Sequence, residues 1–276
     1  MSVTSFAAAQ LIRALPRVHL SRVVGRLCEQ PLPAQLSTLV QRAYCTAFSV
    51  DLSDAADRGP YPSFDSFFTR PLRDGARPLG NAPIVSPSDG LLSVRGPIDA
   101  GAKIRVKRQE YDIAELVGDA SDAKRYRGGE FCVVYLSPRD YHRVHSPVDG
   151  EISLVRGIAG DLFPVNSIGE RHVDGLFVRN NRVCICIDHA EMGRVSVVMV
   201  GATIVGRISV SVIPEPSVPS GETRFEPPRS VRRGEELGMF HLGSTAVVLL
   251  EPGVRLARPE GPVQMGQSLM AEVGAP

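Results

Sequence analysis

Two short stretches, Ser86-Pro87-Ser88-Asp89-Gly90 and Ser146-Pro147-Val148-Asp149-Gly150, repeat one pattern in different parts of the chain. Proline presets one backbone torsion and Asp-Gly tolerates a tight reversal, so Pro-x-Asp-Gly predicts a turn. Apolar residues enter and leave both stretches. The repeat therefore predicts two related hairpins in a pseudo-symmetric β structure.

Outward from this repeat, runs rich in Val, Ile and Leu alternate with Pro, Gly and Asp turns. This alternation is typical of strands with tight connections. A short helix is predicted at residues 112–117, where Gly118 would end it. Five prolines predict that residues 214–228 lack regular structure. The predicted strands span residues 83–85, 91–94, 103–106, 131–136, 150–155, 183–187, 195–200, 203–212 and 245–250.

The N-terminal part of the chain has a different character. Residues 1–28 carry four arginines and no acidic residue among scattered apolar side chains. That pattern favours amphipathic helices on an anionic bilayer. A helix packed on its own domain and an organellar transit peptide are alternative interpretations. A second helix is predicted at 33–48 from apolar residues at helical spacing.

These patterns predict an α+β protein. Residues 1–48 would form a helical, membrane-associating region, and residues 49–276 a mixed, mostly antiparallel β domain with pseudo-repeated hairpins. No apolar run reaches the ~18 residues of a membrane-spanning helix.

Composition limits the possible partners and the compartment. The 276 residues are 43% apolar, enough for a sizeable core, and the net charge of +1 gives no global field to recruit nucleic acid. The five cysteines are an odd number and include no C-x-x-C pair, so no disulfide framework is expected. A reducing compartment fits this usage.

The chemistry-bearing residues fall into two stretches. Leu242-Gly243-Ser244-Thr245 precedes an apolar run, a pattern that by itself is often only a turn. A serine hydroxyl held against the preceding carbonyl can convert that peptide bond to an ester, and glycine leaves the carbonyl open. Such a reaction needs a base. His142 and His145 are candidates, and the prolines around them predict a loop or turn. No third ligand stands at a metal-site spacing, so no metal is expected.

The histidine stretch, Tyr-Leu-Ser-Pro-Arg-Asp-Tyr-His-Arg-Val-His-Ser-Pro at residues 135–147, resembles the signature segment of phosphatidylserine decarboxylases. Five further stretches resemble motifs of that family and follow in family order. They are Phe-Phe-Thr-Arg-Pro-Leu (67–72), Ser-Pro-Ser-Asp-Gly (86–90), Leu-Phe-Pro-Val-Asn (162–166), Val-Gly-Ala-Thr-Ile-Val-Gly (200–206) and Gly-Glu-Glu-Leu-Gly-Met-Phe-His-Leu-Gly-Ser-Thr (234–245).

The resemblance implies a role for each matching residue. Ser244 would be the self-cleaving nucleophile and the source of a covalent pyruvoyl group. His145 would be the base for cleavage, Asp89 would orient His145, and His142 would serve the decarboxylation. Cleavage between Gly243 and Ser244 would give a large chain, 1–243, and a small chain, 244–276, that stay paired in one sheet.

The implied reaction converts phosphatidylserine to phosphatidylethanolamine and CO2 through a Schiff base with the pyruvoyl group. No metal or diffusible cofactor would be needed. The expected partners are the lipid substrate, an anionic membrane surface and other copies of the chain, with no nucleic acid. The expected location is peripheral, on the cytoplasmic face of the cell membrane, or on an organellar inner membrane if the N-terminus is a transit peptide.

Other interpretations stay open at this point. A serine hydrolase could use Ser244, His145 and Asp89 without self-cleavage, although the Gly-x-Ser-x-Gly elbow is absent. A β-rich carrier module would need a lysine at a hairpin tip, which neither repeat offers. An inactive family member is a further alternative. Arg207 stands where serine is common in the family, so local contacts near the substrate could differ.

Overall fold

The computed structural model describes residues 17–165, 172–203, 207–243 and 245–271. The predicted nucleophile Ser244 and the N-terminal segment 1–16 lie outside the described residues. Within the described ranges there are six α-helices: α1 (Arg17–Glu29), α2 (Ala34–Phe48), α3 (Phe64–Phe68), α4 (Ile113–Val117), α5 (Ala120–Ala123) and α6 (Leu176–Arg179), with a 3-10 turn at Lys124–Tyr126.

The strands build three antiparallel sheets. The strands are β1 (Gly90–Pro97), β2 (Lys103–Val106), β3 (Gln109–Asp112), β4 (Glu130–Tyr135), β5 (Arg143–His145), β6 (Gly150–Ile158), β7 (Arg182–His189), β8 (Gly193–Val200), β9 (Arg207–Val210), β10 (Gly221–Val231), β11 (Glu236–His241), β12 (Thr245–Leu250) and β13 (Gly261–Val263). The largest sheet has eight strands in the order β10-β6-β7-β8-β12-β4-β1-β13, the second has the order β5-β11-β9, and the third pairs β2 with β3. The predicted helices followed by a mostly antiparallel β domain are confirmed.

Strand β12 lies in the middle of the large sheet. It pairs with β8 on one side and β4 on the other over its full length, and all six of its residues are buried. A strand covered on both faces reads as a continuous apolar run, as residues 246–250 do. The segment directly after Ser244 is therefore part of the core.

The two Pro-x-Asp-Gly turns face each other as a pseudo-symmetric pair. The Val85 amide donates to the Pro147 carbonyl at 3.0 Å, and the His145 amide donates to the Pro87 carbonyl at 2.7 Å. Each turn leads directly into a long strand, β1 or β6. The predicted pseudo-repeat is present, and it brings His145 next to the turn that carries Asp89.

The predicted short helix is confirmed, with the end signals in place. The Asp112 carboxylate accepts a hydrogen bond from the Ala114 amide at 2.7 Å and caps the N-terminus of α4. Gly118 closes the helix with a φ of 77°, which suits glycine.

The prediction for residues 214–228 was wrong in its second half. Residues Gly221–Val231 form β10, an edge strand of the large sheet. Its pairing with β6 shifts between Arg224 and Arg229, and Pro227 and Pro228 sit in that irregularity. Proline is tolerated there because an edge strand and a bulge do not need every amide as a donor.

Three smaller differences concern strand boundaries. Residues 83–85 form no strand and only a single bridge, Val85 to Ser268. The strand predicted at 203–212 is shorter, and residues 204–206 lie outside the described part. His145 was predicted in a loop or turn, but it ends strand β5 because that segment pairs with β11.

Candidate active site

Asp89 is a buried carboxylate with a complete set of partners. Arg77 Nε lies 3.0 Å from Oδ1, and Arg77 Nη2 lies 2.7 Å from Oδ2, a bidentate arrangement. The Met265 amide donates to Oδ1 at 2.8 Å. Arg77 also donates from Nη1 to Asp54 at 2.7 Å. The hydrogen bond to Asp89 is the largest cause that raises the pKa of Arg77. The pair therefore holds the carboxylate in one orientation.

His145 is fixed through both ring nitrogens. Nδ1 lies 2.8 Å from the Gly234 carbonyl, and Nε2 lies 3.1 Å from the Tyr141 hydroxyl. A carbonyl only accepts, so Nδ1 carries the proton and Nε2 holds the free lone pair. Burial lowers the pKa of His145, and burial raises the pKa of Tyr141. The structure thus gives a neutral imidazole with its basic nitrogen bound to a protonated phenol.

These hydrogen bonds differ from the expectation that Asp89 orients His145 directly. The histidine's orienting acceptor is the Gly234 carbonyl, while Asp89 is bound by Arg77 and Met265. The physical reason is that Arg77 offers the carboxylate a bidentate, charge-assisted partner, which is stronger than a neutral imidazole N–H. Asp89 still exerts a small electrostatic influence that raises the pKa of His145. The catalytic roles of both residues stay predictions.

His142 is fully buried, and its ring centroid lies 3.9 Å from that of Phe68. Within the described residues, neither ring nitrogen has a hydrogen-bond partner of good geometry. Burial, assisted by the charge of Arg70, lowers the pKa of His142 to about 3, and a backbone contact with Asp140 offsets this only in part. A buried polar group without a partner is costly and marks a candidate functional position.

The backbone before Ser244 packs tightly against His142. A Cβ placed on Gly243 would lie 3.3 Å from His142 Nε2, tighter than most real Cβ contacts. Glycine therefore leaves room for the imidazole beside the backbone at position 243. Leu242, one residue earlier, has a φ of 84°, a value that non-glycine residues rarely adopt. Such strain costs about 1–3 kcal/mol and is often found at functional sites.

A cavity of about 600 Å³ opens next to Asp89 and is also lined by Tyr135, Arg139 and Gln264. His142 and Gly243 are not among its lining residues, so it adjoins the Asp89 end of the site. Asp89 also lines a second space of about 210 Å³, which Arg70 and Tyr141 border.

No group of three or more His, Cys, Asp or Glu side chains suited to a metal ion occurs within the described ranges. Asp149, the aspartate of the second turn, is exposed and accepts a hydrogen bond from the Arg233 amide at 2.9 Å.

Sequence reasoning missed the residues that hold the predicted set in place: Arg77, Tyr141, Gly234 and Phe68. Tyr141, Phe68 and Gly234 lie inside motifs that the sequence had already singled out, so their position was a usable signal, although Gly234 acts through its backbone carbonyl, which the residue type does not mark. Arg77 lies outside those motifs, and no local pattern marks its contact with Asp89.

The chain is similar to known proteins over most of its length. A family model described as phosphatidylserine decarboxylase matches residues 64–271. The phosphatidylserine decarboxylase proenzyme of Anaeromyxobacter sp. (strain K) is 37% identical over 273 residues, which cover 96% of this chain and 95% of the relative. The proenzyme of Shewanella sp. (strain ANA-3) is 40% identical, covering 92% of both chains, and that of Acinetobacter baumannii (strain AYE) is 42% identical, covering 91% of both.

Fold, site and relatives together define an enzyme, and its class is that of the carboxy-lyases. More narrowly, the chain belongs to the phosphatidylserine decarboxylase family. The resemblance stated from the six sequence motifs is confirmed.

Proposed function

We propose that this protein is a self-cleaving, pyruvoyl-dependent decarboxylase that converts phosphatidylserine to phosphatidylethanolamine and CO2. The observation that carries the proposal is the packing of Gly243 against His142, directly before Ser244. Relatives that match almost the whole chain are named as proenzymes, which is the naming expected for chains that mature by cleavage.

Self-cleavage would use atoms of the chain and one water molecule. The Ser244 hydroxyl attacks the Gly243 carbonyl carbon, the C–N bond breaks, and an ester with a free serine amine results. Loss of the α-proton then breaks the ester C–O bond. Gly243 leaves as a carboxylate, and a dehydroalanine forms at position 244. Its hydrolysis releases ammonia and leaves a pyruvoyl group.

His145 is the base that this scheme needs. The Gly234 carbonyl holds the imidazole in the tautomer with the lone pair on Nε2, and its lowered pKa keeps it neutral at neutral pH. Asp89 acts with it, held by Arg77. Strain at Leu242 favours reaction, because cleavage relieves the constraint on the backbone before Ser244.

The site also suits the group that cleavage would create. His142 is buried beside Gly243, and neither of its ring nitrogens has a hydrogen-bond partner among the described residues, so a newly formed carbonyl group there would have a polar neighbour. The pyruvoyl carbonyl supplies an electron sink for decarboxylation, as pyridoxal phosphate does in other enzymes. His142 would move the proton that replaces the lost carboxylate. Burial favours this step, since loss of CO2 removes an anion from a low-dielectric site.

The two chains should stay together after cleavage. Strand β12, which begins at Thr245, is hydrogen-bonded on both edges by strands of the large chain. Removing it would open the core of the eight-stranded sheet. A further homo-oligomer stays a prediction.

Helices α1 and α2 would place the protein on a membrane. In the described part of the chain, eight large hydrophobic side chains are exposed, and six of them lie on these two helices: Leu20, Val23, Leu27, Leu36, Leu39 and Phe48. Exposed Arg22 and Arg26 on α1 would meet anionic head groups. No helix in the described ranges is long and apolar enough to cross a bilayer. A peripheral location on the cytoplasmic face of the cell membrane is the corresponding proposal.

The lipid reaction is tested by CO2 release from phosphatidylserine in detergent micelles, with and without phenylhydrazine, a reagent that captures ketones. We expect release by the wild-type protein, complete inhibition by the hydrazine, and no release by Ser244→Ala. Release of a fatty acid without CO2, insensitive to phenylhydrazine, would instead identify the serine hydrolase.

A further inference from the structure

His241, the last residue of strand β11, is held through both ring nitrogens. Nδ1 lies 2.8 Å from Asp65 Oδ1, and Nε2 lies 3.0 Å from Ser209 Oγ. The side chains of His241 and Asp65 are only 12% and 14% exposed. Because little water reaches these two side chains, the electrostatic interaction between them is screened less than that between two exposed side chains. The end of the strand that leads to the cleavage site is thus attached to α3.

Arg207 extends this contact towards the N-terminal helices. Its Nη2 lies 3.1 Å from Asp65 Oδ2 and 3.3 Å from Glu29 Oε1 at the end of α1. The same nitrogen lies 2.8 Å from His241 Nδ1, but this is a close approach and not a hydrogen bond, because Nδ1 carries the proton that the Asp65 carboxylate accepts. Arg207 stands at a position where the resemblance implies that serine is common. Glu29 is exposed, so its share of the contact is small.

Helix α3 also contacts the other side of the cleavage site. Phe68 at its end packs on the His142 ring, and Arg143 Nε donates to the carbonyl of Thr69 at 2.8 Å. The same five-residue helix therefore touches His241, which lies just before Gly243, and His142, which packs against Gly243. Between the two contacts stands Leu242 with its positive φ.

We propose that Asp65 and His241 are positioning residues for self-cleavage, which hold the end of β11 so that Gly243 stays packed against His142. The inference rests on the proposed self-cleavage and adds residues that the family motifs do not assign. A misplacement of about 1 Å at a reacting atom can slow a reaction by about 10²-fold. We call the contact between Asp65 and His241 the clamp. Without the clamp, Leu242 can relax from its strained conformation and move Gly243 away from His142.

The test compares substitutions that remove or keep the donor at Nδ1. In His241→Leu both hydrogen bonds are lost, and we expect self-cleavage to slow by about 10-fold to 10²-fold. In His241→Asn the side-chain amide can still donate to Asp65, and we expect recovery of most of the rate. Cleavage is followed as the half-life of the full-length chain after cell-free synthesis. CO2 release, counted per pyruvoyl group formed, should stay within about threefold of wild type, since the clamp acts on cleavage.

Two controls separate positioning from other roles. His189, the last residue of β7, also accepts hydrogen bonds at its ring, from the amides of Glu191 and Met192, and His189→Leu should cleave at the wild-type rate. Ser209→Ala removes the hydroxyl from a Ser–His–Asp series and should change the rate by less than about threefold, because the net contribution of one neutral, part-buried hydrogen bond is small.

The outcomes distinguish this inference from the proposed function. A wild-type chain that is never cut contradicts both. If the wild-type chain is cut and the His241→Leu chain is cut equally fast, the positioning role of His241 is contradicted, while the proposed self-cleavage is not. Equal slowing in His241→Leu and His241→Asn, with a matching fall in melting temperature, would show a merely structural role. Slowing in Ser209→Ala equal to that in His241→Leu would point to a nucleophile in place of a clamp.

Discussion

The turn at residues 86–90 and the turn at residues 146–150 have almost the same backbone and different chemistry. In the first, Ser86 Oγ donates to the Ser88 carbonyl at 2.8 Å, and in the second, Ser146 Oγ donates to the Val148 carbonyl at 2.7 Å. Both aspartates accept a backbone amide, from Met265 in the first turn and from Arg233 in the second.

The side chains around the two turns then diverge. Asp89 is buried and bound by Arg77, whereas Asp149 is exposed. The residue before the first turn is Val85, and the residue before the second is His145. The repeated turn thus supplies the same scaffold twice, while the candidate site depends on one ion pair on the first turn and one histidine before the second.

The largest effect is expected from making the second turn resemble the first. His145→Val copies Val85 and removes the base, so self-cleavage should slow by about 10²–10⁴-fold, the usual contribution of general base catalysis. The measurement is the half-life of the full-length chain after cell-free synthesis. Cleavage within threefold of the wild-type rate would remove His145 from the mechanism.

Replacing the two aspartates one at a time by asparagine should show which of the two turns is needed for cleavage. Asp89→Asn is expected to slow cleavage by about 10²-fold or more, since it removes the charge opposite Arg77. Asp149→Asn should cleave normally, because a surface hydrogen bond is all that changes. Equal rates in the two variants would show that the burial of Asp89 has no catalytic meaning.

His142 should also make the free energy of unfolding depend on pH in the acid range. The pKa of His142 is about 3 in the folded chain against 6.5 for the free side chain, so only the unfolded chain binds the proton between these values. Stability from this group is complete above pH 6.5 and falls as the pH drops towards 3. At pH 5 the loss is about 2 kcal/mol.

Urea unfolding at pH 7 and pH 5 measures this loss, with uncut Ser244→Ala as the reference chain. Adding His142→Leu to that chain should remove about 2 kcal/mol of the pH dependence. An unchanged pH dependence would mean that His142 is not held neutral by burial.

A smaller effect on the cleavage rate is expected from replacing Arg77, which binds the aspartate of the first turn. Arg77→Gln removes the bidentate partner of Asp89, and we expect cleavage to slow by about 10-fold. The matched control is Arg73→Gln, since Arg73 also pairs with Asp54, at 3.1 Å, but is exposed. Arg77→Lys should restore part of the rate. Normal cleavage in Arg77→Gln would show that Met265 alone suffices to hold Asp89.

The smallest effect is expected on stability, when the hydrogen bond that both turns share is removed from one turn or the other. Ser86→Ala and Ser146→Ala each remove one buried hydroxyl bond, and each should lower the free energy of unfolding by about 1 kcal/mol. Thermal unfolding of both variants in the Ser244→Ala chain gives the comparison. A difference of more than about 2 kcal/mol between them would break the equivalence of the two turns.

The sequence predicted most of the fold because strands and turns here follow local rules. The repeated turns, the capped helix at Ile113–Val117 and the apolar strand at Thr245–Leu250 were each visible in composition and spacing. Strand β10 was missed because its prolines argued for irregular structure. Only its position at the edge of the sheet, a tertiary property, makes those prolines acceptable.

The candidate site was predictable in its residue types and not in its contacts. The motifs singled out Asp89, His142 and His145, but the direct bond between Asp89 and His145 was expected from analogy. The structure gives Arg77 and Gly234 as their respective partners, and these choices depend on where distant segments meet. Long-range pairing of this kind leaves no periodic signal in one sequence.

Self-cleavage is tested by intact mass under denaturing conditions, on the wild-type chain and on Ser244→Ala. We expect two wild-type fragments that meet between Gly243 and Ser244. The smaller should have a blocked, ketone-bearing N-terminus that reacts with hydroxylamine to an oxime, which adds the mass of hydroxylamine less one water. Ser244→Ala should remain one full-length chain. A wild-type protein that stays whole on incubation with phosphatidylserine vesicles would contradict self-cleavage.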